Sequence, residues 1–311
     1  MNHVPELETI PCPLCASVDF SIIYPANFPA ELSQEFLTKV YRSSSDQGIF
    51  EQVVKCSGCG LVYLNPRLQS SLIVDSYAEG EDTTFIEQDA MRIRTFSAVF
   101  RKLSRKFCFP LSQKTKVLDI GCAGGAFLRA ARDLGVSVTG IEPSKWLSNY
   151  ARTEYALDVR TGTLFENSFP ESSFDVVTLW DVIEHVPDPN SELVEVRRIL
   201  KRDGILIVNY PDFGSLAARV LGRKWPFLLS VHLVYYTRQT IRRQLRKAGF
   251  QVVDMGMHWQ VLEFGYILKR AGHYFSFFRF LGNITESIGL GSLPVCYWIG
   301  QTRVVAKRYD K

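Results

Sequence analysis

The stretch "VLDIGCAGGAFL" (Val117–Leu128) decides the fold, because an apolar run leads into a glycine-rich turn and then into a helical pattern. Gly121, Gly124 and Gly125 carry no side chain, so the backbone of this turn can touch a ligand. In an open α/β sheet the first strand–helix turn lies at the carboxyl ends of the strands, where ligands bind. The stretch therefore predicts a ligand site at the edge of an α/β sheet.

The segments around this turn alternate between strand and helix patterns. Short runs rich in Val, Ile and Leu are typical of parallel strands that are covered on both faces, and they are "KVLDIG", "VSVTGIE", "FDVVTLW" and "GILIVNY". Helical patterns separate the runs, and the last of them, "NSELVEVRRILKRDG", is predicted to end at its glycine. "FQVVDMGMHW" and "RVVAKRY" are expected to pair antiparallel. The alternation predicts an open, mostly parallel α/β sheet with helices on both faces.

Two carboxylates accompany the glycine turn. Asp119 precedes it, and Glu142 ends the second strand in "VTGIEPS", where a carboxylate can accept hydrogen bonds from both ribose hydroxyls. The turn lacks the G-x-G-x-x-G spacing of dinucleotide sites, and Asp119 would repel a pyrophosphate, so a nicotinamide-dependent oxidoreductase is disfavoured. A cationic nucleoside without phosphates, such as S-adenosylmethionine, fits this turn better.

Four of the seven cysteines form two C-x2-C pairs, which are Cys12 with Cys15 and Cys56 with Cys59. Two residues between thiolates let both face one ion, and two such turns complete a tetrahedral zinc site. The long segment between the pairs is tolerable, because the entropy of loop closure grows only slowly with length. Four thiolates fill the coordination shell, so the predicted zinc is structural rather than catalytic.

Composition and charge exclude several classes of protein. With 46% hydrophobic and 22% charged residues, the chain is expected to be globular. A net charge of +4 without a concentrated basic stripe predicts no nucleic-acid partner. The sequence has neither a signal-peptide pattern at its start nor the roughly 20 apolar residues of a membrane span. We therefore expect a cytoplasmic protein.

The order of the motifs resembles a known family. "LDIGCAGG", "GIEPS", "SFDVVTLWDVIEHVPDP", "ILKRDGILIVNYP" and "KAGFQVV" follow the motifs of class I S-adenosylmethionine-dependent methyltransferases, from about Val117 to Phe250. "DVIEHVPDP" is especially similar to the ubiquinone-biosynthesis O-methyltransferases. With "CSGCGLVYLNPR" in front, the whole chain resembles bacterial zinc-ribbon methyltransferases. The resemblance implies a seven-stranded Rossmann-like sheet, a small zinc ribbon before it, and S-adenosylmethionine as the cofactor.

The resemblance also implies which residues bind the cofactor. They are Asp119, Gly121, Cys122, Gly125, Glu142, Leu164, Trp180 and Asp181. The first four would line the methionine and ribose, Glu142 would hold the ribose hydroxyls, Leu164 would pack on the adenine, and the last two would lie beside the cofactor. The chain departs from the family at Ala123, which replaces a glycine of the loop. It departs again at Thr163, where many relatives have an aspartate on the adenine amino group.

The stretch "DVIEHVPDP" places Asp181, Glu184 and His185 after the fourth strand, and three roles for them remain open. By resemblance to the ubiquinone-type enzymes, the three residues would bind a divalent cation such as magnesium beside a catechol-like acceptor. Alternatively, His185 is the general base for the attacking oxygen. The third reading is that Glu184 and His185 only fix the loop. His232, in "SVHLVYYTRQT", is a further catalytic candidate whose alternative role is packing.

Three regions are expected along the chain. They are a zinc-ribbon-like module over 1–67, a connector and helical lid over 68–110, and a methyltransferase domain over 111–311. An aromatic cap is inserted at about 260–300, which leaves peripheral contact with a membrane open.

The predicted function is methyl transfer to a small-molecule acceptor. The acceptor atom would be an oxygen of a sugar, a polysaccharide precursor, a quinone-like compound or a secondary metabolite. The alternatives are an RNA or protein methyltransferase docked through the ribbon, and a catalytically inactive binding scaffold. The sequence leaves the oligomeric state open.

Overall fold

The computed structural model describes residues 7–29, 33–41, 48–79, 83–272 and 276–309. Its strands are β1 (Leu7–Glu8), β2 (Phe20–Tyr24), β3 (Val53–Cys56), β4 (Val62–Leu64), β5 (Arg67–Leu68), β6 (Lys116–Ile120), β7 (Ser137–Glu142), β8 (Val159–Thr161), β9 (Phe174–Trp180), β10 (Leu200–Pro211), β11 (Val234–Tyr235), β12 (Phe250–Met257), β13 (Gln260–Glu263), β14 (Pro294–Tyr297) and β15 (Gln301–Arg308). Its helices are α1 (Gln34–Tyr41), α2 (Ser70–Glu79), α3 (Thr83–Ile86), α4 (Asp89–Phe107), α5 (Ala126–Asp133), α6 (Lys145–Tyr155), α7 (Pro189–Ile199), α8 (Leu216–Leu221), α9 (Arg238–Lys247), α10 (Phe264–Ala271) and α11 (Ser276–Ser287). Within those ranges, no helix is both long and apolar enough to cross a bilayer.

A seven-stranded sheet forms the centre of the fold, in the order β12-β15-β10-β9-β6-β7-β8. Neighbouring strands are parallel except around β15, which runs antiparallel to both β10 and β12. The sequence prediction of an open, mostly parallel sheet is confirmed, and so is the antiparallel pairing of the last two segments. The connection from β6 continues to β7 on one side, whereas β9 lies on the other side of β6. This arrangement opens a crevice at the carboxyl ends of the strands.

Helices cover both faces of the central sheet, because successive side chains of a strand point to opposite faces. Val176 of β9 packs in one apolar cluster with Phe127 of α5. The next residue, Val177, belongs to a second cluster with Leu193 of α7 and Ile241 of α9. This double coverage explains why the strand segments read as continuous apolar runs rather than as alternating ones.

The helix predicted for "NSELVEVRRILKRDG" is shorter than expected. α7 ends at Ile199, and Leu200 already has extended backbone angles and begins β10. Gly204 is therefore not a helix stop. A Cβ at Gly204 would lie 2.8 Å from Leu200 Cδ1 and 3.0 Å from the carbonyl oxygen of Asp175, so glycine lets β10 approach β9 after an irregular start.

The cysteine-bearing strands belong to a four-stranded sheet, in the order β11-β4-β3-β2, which we call the ribbon sheet. β2, β3 and β4 come from the first 64 residues, but β11 comes from the loop after β10. Val234 lies opposite Tyr63, and Tyr235 lies opposite Val62. Buried residues of the ribbon sheet also share one apolar cluster with α7 and α9. The ribbon is thus built into the core of the larger sheet.

The four paired cysteines meet as the sequence predicts. All four sulfur atoms lie within 4.8 Å of one another. The Sγ atoms of Cys12 and Cys59 are 3.5 Å apart, and those of Cys15 and Cys56 are also 3.5 Å apart. A tetrahedral zinc with bonds of about 2.3 Å needs its sulfur atoms about 3.8 Å apart, so the donor set fits zinc. Burial raises the pKa of Cys12 to about 11, which means that zinc binding would release a proton there.

The predicted aromatic cap corresponds to β13, α10, α11 and β14. β13 and β14 pair antiparallel, and the two helices lie between them in the chain. Phe277 and Phe280 of α11 expose 63% and 62% of their surface. Peripheral membrane contact through this cap remains a prediction.

We expect purified protein to hold about one tightly bound zinc ion per chain. Cys56→Ser should lose this zinc and lower the midpoint of thermal unfolding by several degrees, because a structural site contributes folding free energy directly. Metal analysis and thermal unfolding are the measurements. Cys296→Ser, a change at an exposed cysteine outside the cluster, is the control and should behave as wild type. Zinc-free wild-type protein with four freely titratable thiols would contradict the zinc site.

Candidate active site

A cavity of about 830 Å³ lies at the carboxyl ends of β6, β7, β9 and β10. Each of the four strand ends contributes a lining residue, and these residues are Asp119, Ile141, Trp180 and Pro211. The cavity continues between the ribbon side of the molecule, at Tyr41 and Leu229, and the cap, at residues such as Tyr266, Phe278 and Tyr297. One continuous cavity therefore joins the glycine turn to the loops that carry the other predicted residues.

The glycine turn adopts left-handed backbone angles, with φ of +66° at Gly121 and +86° at Gly125. Gly121 and Cys122 line the cavity. Gly125 does not lie among the lining residues. A Cβ at Gly125 would be 2.6 Å from Leu157 Cδ1 and 3.1 Å from the Cβ of Ala151, so glycine lets the turn pack closely against α6, while its contact with the cofactor stays a prediction.

Asp119 lies at the bottom of the cavity and is 2% exposed. The hydroxyl of Thr178 donates a hydrogen bond of 2.5 Å to its carboxylate. Burial raises the pKa of Asp119 well above its usual range, and the nearby charge of Glu142 adds to this effect. A cationic group bound at the glycine turn would stabilise the ionised form of Asp119.

Glu142 is fully buried, and its carboxylate also organises the turn. The amides of Ala123 and Ser144 each donate a hydrogen bond of 2.8 Å to it, one to each oxygen. The hydroxyl of Tyr77, from α2, also donates to this carboxylate, and Tyr77 lines the cavity in front of it. Burial raises the pKa of Glu142 to about 7. The contact of Glu142 with ribose hydroxyls stays a prediction.

Leu164 and Trp180 both line the cavity, as the cofactor prediction requires. The indole of Trp180 contacts the rings of Phe96, Phe127 and His258, with centroid distances of 5.1 to 5.4 Å. Its buried Nε1 atom has no hydrogen-bond partner among the described residues. Thr163, where many relatives have an aspartate, also lines the cavity, and its amide donates to Glu166.

Asp181 follows β9 directly and has a φ of +54°. Its carboxylate accepts a hydrogen bond of 2.7 Å from Asn209 and two, of 2.8 and 3.0 Å, from the amide of Gln301. The chain of contacts continues, because Gln260 donates to Gln301 and Tyr297 donates to Gln260. Burial raises the pKa of Asp181 to about 6. Asp181 is thus fixed by amides between the central sheet and the cap.

Glu184 lines the cavity in an apolar setting. The residue exposes only 2% of its surface, so its carboxylate is almost wholly buried. Neither carboxylate oxygen has a hydrogen-bond partner within the described part of the chain. Burial raises the pKa of Glu184 well above its usual range, and the charge of Asp181 raises it further. A buried carboxylate without a partner is costly, which points to a ligand or ion that completes it.

His185 and His232 meet edge to face, with ring centroids 4.7 Å apart. Nδ1 of His185 lies 2.9 Å from the carbonyl oxygen of Val231, and Nδ1 of His232 lies 2.7 Å from that of Phe227. A carbonyl oxygen can only accept, so both Nδ1 atoms carry the proton and both Nε2 atoms present a lone pair. Burial lowers the pKa of His185 to about 4 and that of His232 well below its usual range. Both rings are therefore neutral near pH 7.

The ligand atoms of Glu184, His185 and His232 lie within 4.8 Å of one another, and we call these three residues the acid–histidine cluster. The sequence analysis grouped Asp181, not His232, with Glu184 and His185. The structure separates Asp181 from that group by tying it to Asn209 and Gln301. The two catalytic candidates that the sequence left apart, His185 and His232, thus share one site.

Sequence reasoning missed the amides and hydroxyls that complete the site. Gln301 lies in the last strand and Tyr297 lies in the cap, both far along the chain. Tyr77 lies in the segment expected only to form a lid. None of these residues belongs to a recognisable motif. A polar residue at the start of an otherwise apolar strand, as in "GQTRVVA", is the one signal that could have pointed to Gln301.

A family model described as a methyltransferase domain matches residues 91–255. The chain is 30% identical over 153 residues to the mitochondrial ubiquinone biosynthesis O-methyltransferase of Schizosaccharomyces pombe, with 47% of this chain and 52% of that protein covered. It is 40% identical over 155 residues to the ubiquinone biosynthesis O-methyltransferase of Pseudomonas aeruginosa, with 45% of this chain and 66% of that protein covered. The chain therefore spans between about half and two thirds of the length of these relatives.

Among solved structures, an S-adenosylmethionine-dependent methyltransferase from Archaeoglobus fulgidus matches with a TM-score of 0.49 and 18% sequence identity. The match covers 73% of this chain and 100% of that chain.

Glu142→Ala should weaken the binding of S-adenosylmethionine. Losing two hydrogen bonds to a charged acceptor costs about 2–4 kcal/mol, or roughly 30- to 900-fold in Kd. Calorimetric titration measures the Kd, and thermal unfolding checks that the turn held by Ala123 is still folded. Asp158→Ala is the matched control, because this acid is exposed and lies outside the cavity wall. An unchanged Kd in Glu142→Ala would mean that the cofactor binds elsewhere.

Proposed function

Because the chain belongs to the methyltransferase-domain family, we propose that it transfers the methyl group of S-adenosylmethionine to an oxygen of a small molecule. The observation that carries this proposal is the single cavity that joins the glycine turn to the acid–histidine cluster. A cofactor site and a set of groups able to handle an acceptor proton therefore face each other. An inactive scaffold would have no use for the unpartnered Glu184 carboxylate.

The charge of the cofactor end supports S-adenosylmethionine as the ligand. Asp119, Glu142 and Asp181 all have pKa values that burial raises, so a positively charged ligand would stabilise their ionised forms. When bound, S-adenosylmethionine supplies a methyl group already activated on a positive sulfur. The task of the protein is then alignment of the acceptor oxygen, which the cavity and its fixed side chains can provide.

A proton must leave the acceptor oxygen, and Nε2 of His185 or of His232 is the group oriented to take it. The low pKa of His185, about 4, makes it a weak base on its own. The acceptor hydroxyl must therefore be acidic, as in a phenol, or be made more acidic at the site. The two relatives above are named for ubiquinone biosynthesis, which supports a phenolic, quinone-like acceptor over a sugar.

A divalent cation in the acid–histidine cluster would make the acceptor more acidic. Two neutral imidazoles and one carboxylate fit Zn²⁺, Mn²⁺ or Fe²⁺ better than magnesium, which prefers oxygen ligands. Both histidines are oriented by hydrogen bonds from Nδ1 to backbone carbonyls, as in known metal sites. If an ion binds, we therefore propose Glu184, His185 and His232 as its ligands; their Nε2 lone pairs would then hold the ion instead of taking the acceptor proton, which would leave to solvent.

The setting of the protein in the cell stays a proposal. A reducing compartment such as the cytoplasm would keep the four cysteines available for zinc. The acceptor is a small molecule that fits the cavity, and the exposed phenylalanines of α11 leave peripheral contact with a membrane open. Nucleic acid is not the expected partner.

His185→Ala and Glu184→Gln should lower kcat by about 10²–10⁴-fold, because each removes a group that faces the acceptor. Both variants should leave the Kd for S-adenosylmethionine within about threefold of wild type. The measurement is transfer of labelled methyl from S-adenosylmethionine to a panel of catechols, phenols and sugars. Glu195→Gln is the matched control, since Glu195 pairs with Arg198 outside the cavity. Wild-type turnover in both cluster variants would remove the cluster from the reaction.

Protein that already holds one zinc should take up one further divalent ion, with Mn²⁺ as the probe. Glu184→Gln and His232→Ala should each abolish this second uptake and keep the zinc, because each removes one of only three protein ligands. Paramagnetic resonance of free Mn²⁺ measures the uptake. Equal Mn²⁺ binding by wild type and both variants would place the ion elsewhere and leave the histidines as bases only.

A further inference from the structure

Backbone hydrogen bonds connect the acid–histidine cluster to the ribbon sheet. We propose that the ribbon sheet positions this cluster for methyl transfer. Only the predicted change in kcat rests on the proposed function. It assigns the four-cysteine ribbon a role inside the active site. In the alternative reading, the ribbon is a docking module for a macromolecular substrate.

The first link runs from the ribbon sheet to the loop that carries His232. β11 starts two residues after His232 and completes the ribbon sheet, with Val234 opposite Tyr63. The amide of Leu64, at the end of β4, donates a hydrogen bond of 3.0 Å to the carbonyl of Leu233. A displacement of β4 would therefore move the residue next to His232.

The second link runs from the same loop to Glu184. The amides of Leu233 and Val234 both donate to the backbone carbonyl of Glu184, at 2.8 and 3.1 Å. Leu233 thus accepts a bond from the ribbon through its carbonyl and donates one to Glu184 through its amide. A third hydrogen bond joins the ring of His185 to this loop, because its Nδ1 donates to the backbone carbonyl of Val231. All three cluster residues depend on residues 231–234.

The cysteine turns are held from the other side by α9. Arg243 donates a hydrogen bond of 3.1 Å to the carbonyl of Cys59, and Lys247 donates one of 3.0 Å to the carbonyl of Leu14. Cys56 ends β3, which pairs with β4. The zinc ligands therefore fix the carboxyl end of β3 at Cys56, and β3 pairs with β4, the strand that holds β11.

The cofactor half of the site shares an apolar cluster with the ribbon sheet through Ile120 and Ile141, but it also has a second support. Asp119 and Glu142 lie on β6 and β7, which pair within the central sheet and not with the ribbon sheet. Helices α4 and α5 pack together over that half, in the cluster that contains Phe127. Loosening the ribbon should thus disturb the acid–histidine cluster much more than cofactor binding. This split distinguishes positioning from general stabilisation.

The first test releases zinc from the wild-type protein with a chelator and follows amide hydrogen exchange. We expect the amides of Leu64, Leu233 and Val234 to lose at least tenfold in protection, while the Kd for S-adenosylmethionine changes by less than about threefold. Unchanged protection at these amides after zinc release would overturn the proposal. Loss of cofactor binding together with protection would also overturn it, because the ribbon would then act on overall stability alone. Neither readout needs turnover, so a failure of the proposed methyl transfer would leave this test intact.

The second test removes one of the two hydrogen bonds to the Glu184 carbonyl without touching the zinc turns. Val234→Pro removes the amide that donates to Glu184, an amide that the ladder with β4 does not use. We expect it to keep one zinc and normal cofactor affinity, to lose the second-ion uptake measured with Mn²⁺, and to lose at least tenfold in kcat. Val234→Ala keeps the amide and is the matched control. Wild-type Mn²⁺ uptake and kcat in Val234→Pro would overturn the proposal. If Val234→Pro binds neither zinc nor cofactor, the variant has not folded, and the hydrogen-exchange test on the wild type decides.

A separate variant tests the alternative, in which the ribbon docks a macromolecular substrate. Ile22, in the outer strand β2 of the ribbon sheet, is 55% exposed, and Val18, two residues before that strand, is 72% exposed. The double change Val18→Ser and Ile22→Ser should leave zinc, amide protection and kcat within about twofold of wild type. A large loss of kcat with intact amide protection would show that the ribbon binds the substrate through this face, against the positioning proposal.

Discussion

The backbone carbonyl of Glu184 accepts two hydrogen bonds from consecutive amides, those of Leu233 and Val234. This one acceptor joins the loop after β9 to the loop after β10, and both loops carry groups of the acid–histidine cluster. It also connects the central sheet with the ribbon sheet, because β11 belongs to the ribbon. The orientation of Glu184, His185 and His232 in the cavity depends on this junction. A carbonyl with two lone pairs can satisfy both amides at once, which is why the loops come so close without burying an unpaired donor.

The burial of carboxylates is the second theme of the site. Asp119, Asp181 and Glu184 lie in or beside one apolar cavity, and burial raises the pKa of each of them. Burial of this kind destabilises the charged forms, since they have lost water, and Glu184 has gained no donor among the described residues. A cationic cofactor at one end and a cation or acceptor proton at the other would both relieve this cost. Ligand binding and electrostatic relief are therefore coupled across the cavity.

The sequence predicted the strands, the four-cysteine cluster and the glycine turn well, because each depends on local pattern. Helix α7 was predicted too long, since Gly204 reads as a helix stop and in fact permits two strands to approach. The cluster was predicted only in part. His232 replaces Asp181 in it because of loop contacts with Val231 and Phe227, and no periodicity encodes such contacts. The participation of β11 in the ribbon sheet was equally invisible, since a two-residue strand has no sequence signature.

The position of β15 has a consequence for synthesis. β15 follows all other strands of the central sheet in the chain, yet it lies between β10 and β12, and its Val304, Val305 and Ala306 are fully buried. A ribosome delivers about 5–20 residues per second from the amino terminus onward, so β10 and β12 leave the tunnel with a gap between them. Until β15 arrives, each of the two strands presents an unpaired edge to other nascent chains. The central sheet therefore cannot be completed before β15 has been synthesised, and the inner edges of β10 and β12 stay open until then.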